Sequence, residues 1–249
     1  MVSANVLCTL DRGDARTALR EVLGAGPDVV GLQEWGLGRR DLLRREPGYA
    51  WAVPLYGGTP VGVRTERFEL LGFRSRVLGR LTRADRGVRA FPAEPPRRAT
   101  VARLHDRLHD RTVSVVNYHL VPGVQSRGRY REERPRLVAR HRTEVRRLGD
   151  LVAAELALGH VVLALGDSNF DGLRLPGLTS AWAGREHERP GTLGPHRKID
   201  DVFGPGPASS VDLLSTPSDH RAVVVRRPDA TERLTGRGAP RKPWPGRAG

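Results

Sequence analysis

Short apolar runs alternate along this chain with polar, glycine- and proline-rich segments. Runs of β-branched and aliphatic residues that end at Gly, Asn or Asp predict buried β-strands. Such runs predict strands at residues 2–10, 29–32, 112–116, 161–165, 199–203, 211–214 and 222–225. Shorter runs between residues 49 and 104 predict an antiparallel meander. The apolar pattern therefore indicates a protein built mainly from short strands.

Two segments have the three- and four-residue spacing of amphipathic helices. Asp14 is the predicted N-cap of the first helix, which ends at Gly24, and Pro135 opens the second. The second helix has an apolar side that runs to Leu156, and its arginines, Arg140 among them, are predicted to face elsewhere. A shorter helix is predicted near residues 42–43. Mixed strands with few helices favour an α/β fold in which two sheets pack together with helices outside.

The remaining segments predict loops and a tail. Residues 83–98, 123–134 and 172–196 are rich in Arg, Gly and Pro and predict exposed loops. The stretch from Arg226 onward has little to bury and predicts a segment that is disordered or loosely attached. The chain is therefore expected to consist of one folded domain at residues 1–226 and a basic tail at residues 227–249.

The run at residues 161–165 stops at Gly166-Asp167-Ser168-Asn169. Side chains two residues apart lie on one face of an extended segment, so Asp167 and Asn169 are predicted to converge on one spot. A carboxylate can accept a proton, and a carboxamide can donate and accept hydrogen bonds. This pair suits a site that orients and activates a water molecule. Taken alone, the same residues are more typical of a turn, in which they bond to nearby backbone groups.

Polar groups stand at other strand ends as well. They are Asn5, Glu34, Asn117 with His119, Asp200, and Asp219 with His220. Each has a purely structural alternative, such as a surface acid, a core histidine or a turn cap. All of these alternatives would have to hold at once, so the set favours a shared site at the ends of several strands.

The ordered set resembles the endonuclease/exonuclease/phosphatase superfamily. The matching pieces are Asn5, residues 27–34 (PDVVGLQE), residues 117–120 (NYHL), residues 166–169 (GDSN), Ile199-Asp200 and Ser218-Asp219-His220. They follow the order of the family and extend over the whole predicted domain. The resemblance implies a four-layer α/β/β/α sandwich of two packed mixed sheets flanked by helices. It also implies hydrolysis of a phosphoester with Mg²⁺, for which Mn²⁺ is an expected substitute.

The resemblance also implies a role for each matching residue. Glu34 would hold the metal, with Asn5 beside it and Asp219 near it. Asp167 would orient and deprotonate the attacking water, and Asn169 would hold that water or the phosphate. His220 would donate to a phosphate oxygen, with Asp200 keeping its imidazole charged, and His119 would be a second donor. Asn117 is a further expected substrate contact. Arg64, Arg98 and Lys198 are the candidates for a basic contact, and the sequence does not choose among them. Asp201 stands where the family often has an aromatic residue, and by alternation it would face away from the site.

The chain has 249 residues, and its 42 Lys and Arg against 28 Asp and Glu give a net charge of +14. Such a charge favours polyanionic partners, although an arginine-rich composition is also typical of GC-rich genomes. No apolar run approaches the length of a membrane span, and the first residues lack the pattern of a secretory signal. The single cysteine, Cys8, cannot form an internal disulfide. These features lead us to expect a cytoplasmic monomer without a membrane partner.

Three functions remain open from the sequence. The first is a metal-dependent nuclease, with DNA favoured over RNA because of the basic charge. The second is a phosphatase or lipid phosphodiesterase of the same superfamily. The third is a nucleic-acid-binding protein that keeps the fold without catalysis, which the intact set of acids and histidines disfavours.

Overall fold

The computed structural model describes residues 1–56, 58–85 and 93–228. The predicted basic tail lies outside this range from residue 229, as does part of the predicted loop at residues 83–98. The elements in chain order are β1 (Val2–Asn5), α1 (Arg12–Gly24), β2 (Val29–Gln33), α2 (Arg40–Leu43), β3 (Tyr49–Ala52), β4 (Val61–Arg64), β5 (Phe68–Gly79), β6 (Thr82–Arg83), β7 (Ala93–Glu94), β8 (Arg97–Asp106), β9 (Arg111–His119), β10 (Gln125–Ser126), β11 (Arg129–Tyr130), α3 (Pro135–Ala157), β12 (Val161–Asp167), β13 (Thr179–Ser180), β14 (Asp200–Gly204), β15 (Ser210–Leu214) and β16 (Ala222–Arg226).

Two six-stranded sheets form the centre of the protein. The strand order is β15-β16-β1-β2-β4-β3 in the first sheet and β13-β14-β12-β9-β8-β5 in the second. Both sheets are mixed, because β1 pairs in parallel with β2 and β9 in parallel with β12, whereas the other pairings are antiparallel. Helices α1 and α3 make the crossovers that these two parallel pairs require. The predicted α/β/β/α sandwich is therefore confirmed.

Alternation along each strand divides the core into layers. Odd-numbered positions of β2, β9 and β12, such as Val29, Val113 and Leu163, pack between the sheets. Even-numbered positions face the helices, so that Val30 packs with α1 and Val162 with α3. Within the described residues, no helix combines the length and the apolar character that crossing a bilayer requires.

Gly31 lets the two sheets approach closely at the centre of β2. A Cβ atom at this position would lie 1.7 Å from Cδ1 of Leu165 and 3.0 Å from Cγ of Asn117. Any side chain here would therefore push β2 away from β9 and β12. The glycine allows a polar side chain of one sheet to reach the backbone of the other.

Several local predictions differ from the structure. Asp11, rather than Asp14, is the N-cap of α1, and its carboxylate accepts the backbone N–H of Asp14. Residues 68–79 form one long strand with bulges instead of two runs. The predicted loop at residues 83–98 contains the β6–β7 pair and the start of β8. Arg227, predicted to belong to the tail, donates to the carbonyls of Thr179 and Val202.

Candidate active site

Strand register places three predicted site residues side by side on the second sheet. His119 of β9 is paired with Asp167 of β12, and Asp167 is paired with Asp200 of β14. All three are buried. The inward face of β12 changes from Leu163 and Leu165 to Asp167, so the apolar interior gives way to polar groups at this one edge. The edge is therefore the candidate active site.

Asp167 lies at the centre of this group. Its Oδ2 accepts a hydrogen bond from Nδ2 of Asn5 at 2.9 Å and lies 3.6 Å from Nε2 of His119. Burial, together with the charge of Asp200, raises the pKa of Asp167 to about 7. A carboxyl group with such a pKa can release and accept a proton near neutral pH.

The turn after Asp167 corrects the sequence-based geometry. Asn169 has φ 53° and is not part of an extended segment, and its backbone N–H donates to Oδ1 of Asp167 at 2.7 Å. The Asx turn that was the structural alternative is therefore present. The amide of Asn169 donates to the carbonyl of Leu120 at 3.1 Å. Asn169 reaches the site because the chain reverses after the strand, and not because strand faces alternate.

His141 supports this turn and was not predicted to belong to the site. His141 belongs to α3, and its ring is buried. Nε2 donates to the carbonyl of Ser168 at 2.8 Å, and the hydroxyl of Tyr130 lies 3.0 Å from Nδ1. Burial lowers the pKa of His141, so the ring is neutral and can accept from Tyr130. The sequence signal was an apolar helix face, which is equally typical of a core histidine.

His220 and Asp200 form a buried ion pair. Nδ1 of His220 donates to Oδ2 of Asp200 at 2.8 Å. Burial alone would lower the pKa of the imidazole, but the hydrogen bond and charge of Asp200, together with the charge of Asp167, raise it to about 9. The ring is therefore a cation at neutral pH, and its Nε2 remains to donate a second hydrogen bond. The predicted pairing of these two residues is present in the structure.

Glu34 and Asn5 face this group from the first sheet. Glu34 follows β2 with φ 57°, a strained conformation for a residue other than glycine. Its Oε2 accepts the backbone N–H of Cys8 at 2.9 Å, and its Oε1 lies 3.9 Å from Nε2 of His119. Nδ2 of Asn5 reaches Asp167, but the buried Oδ1 of Asn5 has no hydrogen-bond partner.

A divalent cation fits the side formed by Glu34 and Asn5. A carboxylate and a carboxamide oxygen without a partner are the hard oxygen donors that Mg²⁺ prefers, and a buried amide oxygen is costly if left unpaired. The ligand atoms of Asp167, Asp200 and His220 also lie within 4.8 Å of one another. That cluster suits a cation less well, because the imidazole already carries a proton on each nitrogen at neutral pH and cannot then ligate a metal.

Asp219 and its neighbour Ser218 occupy the segment before β16. Asp219 is exposed and lies 3.4 Å from Oγ of Ser218, so metal binding by Asp219 stays a prediction. Ser218 was matched to the family pattern without a role. Its Oγ donates to the carbonyl of Asn5 at 2.7 Å and accepts the N–H of Leu7 at 3.0 Å. Ser218 therefore fixes the segment of His220 to the end of β1.

Two of the predicted substrate contacts are wrong. Asn117 is fully buried, with Nδ2 donating to the carbonyls of Leu32 and Pro60 and Oδ1 accepting from Gln33. Both amide hydrogens and the amide oxygen of Asn117 are therefore used in hydrogen bonds that join the two sheets. Lys198 is also buried, and Nζ donates to the carbonyl of Arg185 and lies 4.6 Å from the ring centre of Trp182.

One arginine of β8 lies close to a histidine of the site. Nη1 of Arg97 lies 3.3 Å from Nδ1 of His119. Arg97 was not predicted to belong to the site. Arg98 is half-buried, and by alternation it lies on the same face as Thr100, which contacts Thr59 between the sheets. Substrate binding by Arg98 stays a prediction. The sequence offered no signal to choose among so many arginines.

Several solved structures are similar to this chain over most of its length. TDP2 from D. rerio, in complex with a single-strand DNA product, has a TM-score of 0.63 and 17% identity, and the match covers 90% of this chain and 96% of that one. An endonuclease/exonuclease/phosphatase family protein from Bacteroides thetaiotaomicron has a TM-score of 0.62 and 16% identity, over 90% and 92% of the two chains. The chain has the endonuclease/exonuclease/phosphatase fold.

A sugar phosphatase also has this fold. The mannosyl-6-phosphatase Bt3783 from Bacteroides thetaiotaomicron VPI-5482 has a TM-score of 0.60 and 16% identity, over 90% of this chain and 97% of that one. No protein-family profile matches the sequence. No curated protein matches it at a significant level. At these identities the likeness shows the endonuclease/exonuclease/phosphatase fold and leaves the substrate to the chemistry of the site.

Proposed function

We propose that this protein is a metal-dependent phosphodiester hydrolase that acts on nucleic acid, with DNA as the favoured substrate. The observation that carries the proposal is the close approach of two buried groups, since the ligand atoms of Asp167 and His220 lie within 4.8 Å of each other. Asp167 has a pKa of about 7 and His220 a pKa of about 9, so one is a base and the other a cationic donor between these values. In this pH range a carboxylate base and a cationic imidazole therefore lie side by side, which is the pair that general acid–base catalysis requires.

Each residue then has a task in hydrolysis. Asp167 accepts the proton of the attacking water, and the hydrogen bonds from Asn5 and Asn169 hold its carboxylate in place. His220 donates from Nε2 to a phosphate oxygen, where negative charge increases in the transition state. His119, next to Arg97, supplies a second donor. Glu34 and Asn5 would hold a cation, which supplies positive charge to the phosphate and the leaving oxygen.

Net charge and one structural neighbour support nucleic acid as the substrate class. The charge of +14 attracts phosphodiester backbones, and the D. rerio TDP2 structure contains a single-strand DNA product. The mannosyl-6-phosphatase neighbour favours a second candidate, a phosphomonoesterase. Both candidates use the same water activation and differ in the group that leaves.

The test compares a diester with a monoester. With Mg²⁺ the protein is expected to hydrolyse bis(p-nitrophenyl) phosphate faster than p-nitrophenyl phosphate and to relax supercoiled plasmid, and a chelator is expected to stop both reactions. Mn²⁺ is expected to restore part of the activity. Faster turnover of the monoester would favour the phosphatase. Oligonucleotide binding without turnover in either metal would contradict the enzymatic proposal.

Replacing Glu34 tests the placement of the cation. Glu34→Gln is expected to raise the Mg²⁺ concentration for half-maximal activity by about tenfold or more, because a neutral amide replaces the charged ligand. Activity at saturating Mg²⁺ is expected to return in part. The matched control is Glu21→Gln on the exposed side of α1, which is expected to leave the metal requirement unchanged. An unchanged requirement in Glu34→Gln would place the cation elsewhere.

A further inference from the structure

A groove on the outer face of the second sheet is lined by arginines. It lies between the N-terminal half of α3 and the chain from the end of β5 to β6, and its volume is about 590 Å³. The charged residues that line it are Arg80, Arg83, Arg136, Arg140 and Arg147, and no acid is among the lining residues. We call Arg80, Arg83, Arg136 and Arg147 the arginine groove.

One wall of the groove is a stripe on α3. Arg136, Arg140, Thr143 and Arg147 follow one another at intervals of four, three and four residues, which places them on one face of the helix. From Arg136 to Arg147 this stripe extends about 16 Å along the helix axis. One strand of a duplex carries a phosphate about every 3.4 Å of axis. The groove is therefore long enough to follow several phosphates.

Arg140 builds the groove and is not available to a ligand. It was predicted to face away from the core, but it is buried and its Nε donates to Glu144 at 2.7 Å. Its Nη1 donates to the hydroxyl of Thr82 at 2.8 Å and to the carbonyl of Glu94 at 3.1 Å. These bonds fix α3 to the β6–β7 pair and give the groove a rigid floor.

The remaining arginines are not neutralised by acids. Arg80, Arg83 and Arg136 are exposed, and within residues 1–56, 58–85 and 93–228 their guanidinium groups make no ion pair and no hydrogen bond. Nη1 of Arg147 donates to the carbonyl of Leu78 at 2.8 Å, which leaves its charge uncompensated. The carboxylate of Asp85 lies at the N-terminus of α3, where it accepts the backbone N–H groups of Arg136 and Leu137. Gathered like charges repel one another, and a polyanion would relieve this repulsion.

Hydrogen bonds connect the floor of the groove to the chain segments that flank the active site. Glu144, the partner of Arg140, accepts the backbone N–H of Val121, two residues after His119. Arg97, which contacts His119, begins the strand that follows the β6–β7 pair. The same short segments therefore hold both His119 and the floor of the groove.

We propose that the arginine groove binds the phosphate backbone of a nucleic-acid chain beyond the nucleotides held at the catalytic centre. The proposal deepens the proposed function and rests on it for the class of substrate. A concave groove with charged walls suits a phosphate chain better than the flat surface of an anionic membrane. The groove would contribute to affinity for long substrates and not to the chemical step.

The test is the triple variant Arg80→Gln, Arg83→Gln, Arg136→Gln. Its matched control is Arg16→Gln, Arg20→Gln, Arg44→Gln, which removes the same charge from the α1–α2 side of the sandwich. Binding of a long fluorescent single-stranded oligonucleotide is measured in chelator at several salt concentrations, with DNA and RNA as separate arms. The groove variant is expected to bind about tenfold or more weakly than the parent. The slope of the logarithm of its association constant against the logarithm of the salt concentration is expected to be shallower by about 2.

Turnover separates the groove from the catalytic site. The groove variant is expected to raise KM for a long oligonucleotide while kcat/KM for bis(p-nitrophenyl) phosphate stays at the parent value, and the control variant is expected to change neither. Equal losses in the two variants would overturn the proposal. Binding to anionic vesicles is measured as well, and a groove variant that loses vesicle binding but keeps oligonucleotide binding would also overturn it. If the parent does not hydrolyse the small diester, the proposed function fails, while the binding measurement still decides on the groove.

Discussion

Asp167→Asn is expected to lower kcat for the diester by about 10²- to 10⁴-fold, the usual contribution of a general base. Asparagine keeps the size of the side chain and its bond with the N–H of Asn169, but it cannot accept a proton from water. The parent is expected to lose activity below pH 7, where the Asp167 carboxyl becomes protonated. The residual activity of the variant is expected to lack this loss at low pH. Measurement of kcat across pH checks both effects.

The folded protein is expected to tolerate this change. The pKa of Asp167 is raised from 3.8 to about 7 on folding, so the charged carboxylate costs stability, and the full cost is present above pH 7. Without metal at pH 8, Asp167→Asn is therefore expected to melt no earlier than the parent. The matched control is Asp201→Asn, another buried acid on the opposite face of the neighbouring strand. Parent-like activity in Asp167→Asn, or an equal loss in Asp201→Asn, would contradict the role of Asp167.

His220→Gln is expected to lower kcat by about 10²- to 10³-fold, because the variant loses a cationic donor at a position where phosphate charge increases. The matched control is His160→Gln at the other end of β12. His160 also pairs with a buried acid, since its Nδ1 lies 3.3 Å from Oε2 of Glu155. That variant is expected to keep most of the activity. Similar losses in both variants would indicate a general effect on folding rather than a contact with substrate.

The pH profile tests how His220 acts. The donor needs its proton, so the parent is expected to lose activity as the pH rises through about 9. Asp200→Asn removes the hydrogen bond and the charge that raise this pKa and leaves the burial that lowers it. The loss at high pH is therefore expected to move to a lower pH in Asp200→Asn. A profile that keeps its position in this variant would contradict the assignment of Asp200 as the residue that keeps the imidazole charged.

The fold follows from patterns that are local in the sequence. The switch from Leu165 to Asp167 along one strand face, and from Val115 to His119 along another, is visible because alternation needs only neighbouring residues. The same rule placed Asp201 on the face opposite Asp200, where its carboxylate bonds to Ser180. Where the chain left the extended form, the rule no longer applied, and Asn169 reached the site through a left-handed turn.

The residues that differ from prediction depend on partners far away in the chain. Asn117 looked like a site residue because it shares a face with His119, but it bonds to backbone of the other sheet across the gap left by Gly31. Lys198 is adjacent to the Ile199-Asp200 pair, yet its ammonium group turns to Trp182 and a carbonyl. Arg97 gave no local signal, and the apolar helix face gave His141 only the signal of a core histidine, since the importance of these residues comes from His119 and Ser168.

The sequence by itself determined the strands and helices, the two-sheet sandwich, and the acids and histidines that stand at strand ends, because side-chain alternation and polarity are local properties. Only the tertiary structure decided which of these groups meet. Register between strands sets His119, Asp167 and Asp200 in one row, and packing of the two sheets brings Asn5 and Glu34 to that row. The pKa values of Asp167 and His220 are tertiary as well, because burial and neighbouring charge create them.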